Sequence, residues 1–525
     1  MLDAIGWIIL LGLVLGPVAY FALRSYHNKE DKARRQAKSE AYDQREQDRL
    51  RAALFRDIHG FFPSLAGRFN DLVSSGVSNN EAVFQAIEET PGVVVGTVFG
   101  SLPALLAEPD RRRHLYTIGK TGSGKTTLLL NLIKVDLDAG RGVGVIAPEA
   151  ELFRDWLLPL IPEDRAEDVI YFAPGNPKNP VSFNPLVVEE GHDRGRASDE
   201  LMTVFKRALG GEEFGARMTP ILGNAFACLM GRPGATLWHV KRLLEDAAFR
   251  KTVLDSVADD YLRDFWTATF PQYPKGSHLP IVSRLDQFLR PLQVRQALCR
   301  PTSSFSIRQA LDEKRILLLD LSGLAPDSML LIGQMLLSKF QLELMRREDL
   351  RQEERVPFYL YADEFQTFAG VAEGTWRELF SRGRRYGLAV TLAHQYPSQL
   401  PEGLQNEILG NVGPIIAFAL SAKDAQAVRR ELLDLPLLPV EAKPVPVEPL
   451  VTLRTGQAIG RLGSGAYAVK LQTADPLEPP PAWRGERVRE ISWERYGVGP
   501  LGENSAAVSD RGGKRSSDSS DDFLE

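Results

Sequence analysis

Cysteine is nearly missing from this sequence. Cys228 and Cys299 are the two in 525 residues, and they lie far apart. That spacing argues against a disulfide framework and points to a reducing compartment for the bulk of the chain. The seven histidines show no ligand spacing to the cysteines or to one another, which argues against a structural zinc site. Excess positive charge is missing too: the formal net charge is −5. There is no global nucleic-acid signature, although a locally basic surface would be enough, so DNA is not excluded. Residues with charge are otherwise ordinary in number, at 25% beside 44% hydrophobic, so a core of good size can form. The length fits three or four folding units, or one large α/β domain with an insertion.

Long apolar runs are also absent, with one exception. Residues 4–23 are uncharged and mostly apolar, the length a helix needs to cross a bilayer. No positive residue precedes the run and no small-residue cleavage pattern closes it, so a membrane anchor is expected over a cleaved signal peptide. Asp3 precedes it, while Arg24, Lys29, Lys32, Arg34, Arg35 and Lys38 follow. The positive-inside rule then sets the N-terminus outside and everything after Arg24 in the cytoplasm. Residues 25–56 mix both charges and read as a solvated juxtamembrane helix.

From residue 57 onward the pattern changes. VVVGTV at 93–98 reads as a strand, followed by a loop to Arg113. Apolar runs at 115–118, 143–147, 168–173, 315–321, 358–362, 388–393 and 415–420 then alternate with helical segments. This implies an α/β fold with a largely parallel sheet covered on both faces. Strand signals vanish between 198 and 309, where helical periodicity takes over, so an all-α insertion is expected there. It divides the α/β domain into an N-terminal part, 57–197, and a C-terminal part, 310–475. Residues 435–449 are rich in Pro and Val and read as extended. Two weak strand candidates follow, near 457–459 and 466–471. The segment 476–525 is expected to be extended to disordered, its end rich in Ser, Asp and Gly.

GKTGSGKT at 119–126 fits G-x-x-x-x-G-K-[ST], and it follows an apolar strand and opens a helix. A loop of small residues lets backbone N–H groups converge on phosphate oxygens, and the helix adds its positive end. Gly119, Lys120, Thr121, Gly122, Ser123, Gly124, Lys125, Thr126 and Thr127 are therefore the nucleotide-binding candidates, with ATP and Mg2+ as cofactors. Lys125 is expected on the β- and γ-phosphates and Thr126 on the metal. Such a site needs an acidic pair at a strand end. Asp363-Glu364 after FYLYA fits, with Asp363 on the metal and Glu364 activating water. Asp320 ends another apolar run but has no adjacent acid, and is read as a strand-end residue. In SRGRRYGLAVTLAHQ, residues 381–395, Gln395 can sense the γ-phosphate. Arg382, Arg384 and Arg385 could serve a neighbour's nucleotide, a solvated helix end or a DNA contact.

These blocks, in this order, resemble one family. RRRHLYTIGKTGSGKTTLLLNLI, IPEDRAEDVIYFAPGNPKNPVSFNPL, KRILLLDLSG, YADEFQTF, RGRRYGLAVTLAHQ and NVGPIIAFALSAKDA are similar to the type IV coupling proteins of conjugation, in the HerA/FtsK superfamily of P-loop motors. The similarity runs from about 111 to 473. It implies a RecA-like P-loop domain carrying an all-α domain, a homohexamer, and ATP-driven DNA translocation toward a type IV secretion channel. It implies that the membrane is a bacterial inner membrane, with relaxase or channel proteins as partners, Arg384 as an arginine finger and Gln395 as the sensor. A HerA-like ATPase of DNA processing or defence, or a nucleotide-gated receptor that does not pump, are the alternatives. One stretch departs from the family: Ala147-Pro148-Glu149-Ala150-Glu151 stands where relatives carry Asp-Pro-His-Gly-Asp.

Overall fold

The structure, a computed structural model, describes residues 45, 47–49, 51–176, 178, 180–189, 193–208, 215, 217–369, 372–428, 432, 448–463, 465 and 467–499. The apolar run at 4–23, the Pro- and Val-rich stretch up to 447 and the tail beyond 499 lie outside them. Among the described residues no helix is long and apolar enough to cross a membrane.

The strands in chain order are β1 (Gly92–Val98), β2 (Leu102–Ala107), β3 (Leu115–Ile118), β4 (Gly142–Ala147), β5 (Val169–Phe172), β6 (Ile316–Asp320), β7 (Phe358–Ala362), β8 (Leu388–His394), β9 (Ile415–Ala417), β10 (Gln457–Arg461) and β11 (Val469–Thr473). They form one sheet in the order β2-β1-β11-β10-β9-β3-β8-β7-β4-β6-β5. From β9 to β5 every pairing is parallel. The central strands β3, β4, β6, β7 and β8 are buried along their whole length, which is why they read as unbroken apolar runs. The other four strands pair antiparallel and extend the sheet beyond β9. The sheet is therefore mixed. β11 alternates buried and exposed, as a strand wetted on one face does.

Three expectations need correction. The loop read between β1 and Arg113 contains β2. Its Pro103 disguises it, yet β2 is an edge strand, where a missing N–H costs little. The segment 25–56 is not solvated throughout: Ala53 and Leu54 are buried, and Arg51 donates to the Phe99 carbonyl and to Ser101. The segment 476–525 is not extended throughout, because Ala482–Tyr496 is a helix. The Tyr171 N–H donates to Ser492 on that helix at 2.9 Å, and Gly485 sits where a side chain would strike Pro159.

Between β5 and β6 the described residues carry helices, from Arg194–Ala208 to Ile307–Asp312. Asn184 pins the entry and exit of this unit together. Its amide donates to the carbonyls of Ala235 and Arg300 at 2.8 and 2.9 Å.

Strand alternation sends side chains to two cores. Ile146, Leu317, Leu319 and Leu360 join the insertion helices on one face. Val145, Leu318, Tyr359 and Tyr361 meet the helix Lys125–Asp138 on the other. At that helix's far end Asp136 is fully buried. Arg111 grips both its oxygens at 2.8 Å, Arg141 donates at 2.8 Å, and the Tyr361 hydroxyl donates at 2.5 Å. Arg111 also lies over the Tyr359 ring, 4.5 Å from its centre. A carboxylate in the last turn of a helix opposes the dipole, so these cations are what make it tolerable there. Asp136→Ala removes the nearest anion from two guanidinium groups, leaving them Glu108 at 3.5 and 3.9 Å, and is expected to cost about 3 kcal/mol in denaturant unfolding. Asp138→Ala, on the same turn but exposed, is expected to cost under about 0.5 kcal/mol.

Candidate nucleotide site

The loop after β3 turns between the ends of β8 and β9. The Gly119 N–H donates to the His394 carbonyl and the Lys120 N–H to the Ala419 carbonyl, at 3.3 and 2.9 Å. Two glycines are sterically required. A side chain on Gly119 would strike Phe418, and Gly124 has φ of 119°, where any other residue is strained. The helix Lys125–Asp138 starts at that point, so its free N–H groups face the loop. The buried Lys125 ammonium donates to the Gly119 and Lys120 carbonyls at 2.7 and 3.2 Å, held inside the loop. Burial pulls its pKa down, while Glu364, Asp363 and Glu149 oppose that shift.

The acidic pair reaches the same place from β7. The Asp363 N–H donates to the Ile146 carbonyl, extending the β4–β7 ladder by one residue. Asp363 then lies 3.4 Å from the Thr126 hydroxyl. Burial, reinforced by Glu364 and Glu149, pushes its pKa up to about 6; the Glu364 N–H and Lys125 act the other way. Glu364 adopts φ of 46°, the left-handed region that a non-glycine residue seldom occupies. In that twist its carboxylate accepts from Gln395 at 3.0 Å and from Gln366. Lys125, Thr126, Asp363, Glu364 and Gln395 therefore converge. A hydroxyl and a carboxylate at the mouth of the loop are hard oxygen donors, a set that fits Mg2+.

Glu149, in the stretch that departs from the family pattern, stands at this mouth as well. Its carboxyl is raised by burial and by Glu364 and Glu151, with Lys125 opposing. It was legible only as an oddity of sequence, because its neighbours come from β7 and the phosphate loop. Asp320 is two strands from Asp363, and its carboxylate is taken by the Tyr171 hydroxyl at 2.6 Å and the Ser322 N–H at 3.0 Å.

Arg384 does not join the cluster. It lies in the 3-10 turn Gly383–Tyr386, before β8, whereas Gln395 follows β8. Seven strand residues separate those ends by about 23 Å. The turn itself is held by two arginines, and the elements on either side of it are tied together by His114. Arg347, fully buried, donates to the Tyr386 carbonyl at 3.0 Å, and Arg355 donates to that of Arg385 at 2.9 Å. His114 accepts from the Val390 N–H at 3.0 Å through Nδ1, so its proton sits on Nε2, 3.2 Å from the Phe380 carbonyl. Arg382 is paired with Glu378. Arg384 is exposed, and no charged partner is seen for it among the described residues.

No protein-family model and no curated protein matches this sequence. Solved structures do. The bacterial conjugative coupling protein TrwBdeltaN70, in its unbound monoclinic form, superposes with a TM-score of 0.53 at 15% identity, covering 76% of this chain and 93% of that one. The chain has the coupling-protein fold. The plasmid coupling protein TrwB in complex with ADP and Mg2+ gives a TM-score of 0.52 at 15% identity, covering 74% and 90%. VirB4 of Thermoanaerobacter pseudethanolicus gives 0.51 at 15% identity, covering 73% and 97%. The coupling-protein fold thus extends over about three quarters of this chain.

Burial holds the His114 pKa down to about 4, with the Arg384 charge acting in the same direction. Folding therefore favours the neutral ring. That contribution is complete above the ordinary value near 6.5 and is lost as pH falls toward 4, amounting to about 3 kcal/mol. The melting temperature is expected to drop between pH 6.5 and 5. His114→Gln, less stable at pH 8, should show a shallower acid limb; equal slopes would contradict this role.

Proposed function

We propose that this chain is a membrane-anchored, ATP-driven DNA translocase that works as a homohexamer and delivers DNA to a type IV secretion or conjugation channel. The observation that carries the reading is the convergence of Lys125, Thr126, Asp363, Glu364 and Gln395 on the coupling-protein fold. TrwB, which shares that fold, has been solved with ADP and Mg2+, which supports the same cofactors here.

Lys125 would hold the β- and γ-phosphates once it releases the Gly119 and Lys120 carbonyls. Thr126 and Asp363 would hold Mg2+, which supplies charge neutralisation between the phosphates. A cation meeting Asp363 also removes the cost of ionising that buried acid. Glu364 takes the proton of the attacking water, and Gln395, already bonded to Glu364, orients both. Charge developing on the transferred group needs one more cation. Arg384 is too far to serve its own chain's site, and its braced, outward turn suits presentation to a neighbouring subunit.

Glu364→Gln is expected to bind ATP and not hydrolyse it. Arg384→Ala should bind ATP but lose about 10³-fold in turnover, because its contact matters most in the transition state. Mixing the two variants should restore part of the activity, since one interface then joins an intact Glu364 to an intact Arg384. Normal turnover by Arg384→Ala alone would sink action between subunits, and turnover unaltered by DNA would favour a receptor over a motor.

The anchor has its own test. The full chain should fractionate with membranes, while a chain beginning at residue 45 should be soluble and keep Ala53 and Leu54 in the core. Full-length protein recovered without detergent would remove the membrane from this reading.

A further inference from the structure

The phosphate loop has a second layer. The outward carbonyls of its central residues do not face solvent alone. The Ser123 carbonyl accepts from the Gly456 N–H at 3.0 Å, and the Gly122 carbonyl accepts from the Thr455 hydroxyl at 3.2 Å. Both donors belong to the turn that leads into β10, more than three hundred residues downstream.

That turn is itself fixed. The Arg454 N–H donates to the Gln457 side chain at 3.1 Å, and the Arg454 carbonyl accepts from the Gln457 N–H at 2.9 Å. The Gly456 carbonyl accepts from both the N–H and the hydroxyl of Thr473, at 2.8 and 2.9 Å. Gly456 has φ of 77°, and a side chain on Gly124 would come within 3.4 Å of its nitrogen. The fit between the two turns is close, and it depends on glycine on both sides.

The chemistry follows from peptide geometry. A peptide unit is planar, so anchoring its carbonyl on one side fixes the direction of its N–H on the other. Holding the Ser123 carbonyl outward turns the Gly124 amide toward the loop's interior, where an anion is cradled, while the Gly122 carbonyl is held by Thr455 as the next amide, that of Ser123, closes the loop onto the Lys120 carbonyl at 3.2 Å. One residue before these contacts stands Arg454. It is exposed, its backbone is held at both ends, and no charged partner is seen for its guanidinium among the described residues.

We propose that residues 454–456 are a second nucleotide-binding element acting within the same subunit. Thr455 and Gly456 are positioning residues that preorganise the phosphate loop, and Arg454 supplies a cation to the phosphates of the bound nucleotide. This rests on the nucleotide reading of the Lys125 loop and extends it. The role differs from that given to Arg384: Arg454 acts on the bound ground state, Arg384 on turnover across an interface.

The test is ADP affinity with Mg2+ present, titrated into the full-length protein, beside the ATPase constants. Arg454→Ala should weaken ADP binding about tenfold, as loss of a charge-assisted contact does, and Thr455→Val about fivefold. In both, KM for ATP should rise while kcat stays within about twofold. Thr455→Ser should restore wild-type affinity, because it returns the hydroxyl. Arg454→Ala alters an exposed side chain, so its result stands even where Thr455→Val fails to fold. Wild-type ADP affinity in Arg454→Ala and Thr455→Val, with Lys125→Ala unable to bind, would overturn this element and leave the nucleotide site in place. Wild-type affinity in Lys125→Ala as well would overturn the nucleotide reading itself. A fall in kcat with KM unchanged would also reject the element as a binding device.

Discussion

The architecture depends on one buried carboxylate. Asp136 ends the phosphate-loop helix in the least favourable place for a negative charge, away from water and at the negative pole of the helix. Arg111, Arg141 and Tyr361 make it possible, and through Tyr361 the helix is joined to a strand that lies more than two hundred positions away in sequence. Tyr361 is two residues before Asp363. The far end of the helix is thus fastened to the strand that delivers Asp363, and the near end begins with Lys125 and Thr126. Helix and strand can then present their ends to one another at a fixed separation, which is what a phosphate and a cation between them require.

The strain gathers at the other pole. Asp363 is buried with two carboxylates near it and Lys125 as its opposing charge, and Glu364 is twisted into left-handed backbone. Neither arrangement favours the protein without a ligand. Both are held by surrounding structure: the extended ladder from Ile146 to Asp363, and the bond from Gln395 to Glu364. Stored strain of this kind is found where a ligand or a reaction relieves it. The outward turn carrying Arg384 is the opposite case. Two of its carbonyls are held by Arg347 and Arg355 while the Arg384 side chain is left to solvent, so order is spent on presenting a charge.

The sequence by itself determined the parts whose signal is local. The parallel strands announce themselves as unbroken apolar runs because both faces of the sheet are covered. The phosphate loop is legible because backbone geometry demands small residues at fixed spacing, and the acidic pair because it ends such a strand. Only the tertiary structure decided the rest. β2 hid behind a proline that is harmless at an edge, the helix Ala482–Tyr496 hid in a polar tail whose few buried positions matter only once it packs against the segment from Pro159 to Tyr171, and Ala53 and Leu54 hid in a charged stretch. Glu149 entered the site because β4 lies beside β7, and the turn at Thr455 met the phosphate loop because β10 pairs with β9, next to β3. Those contacts join residues hundreds of positions apart, and strand order, which no local pattern encodes, is what brings them together.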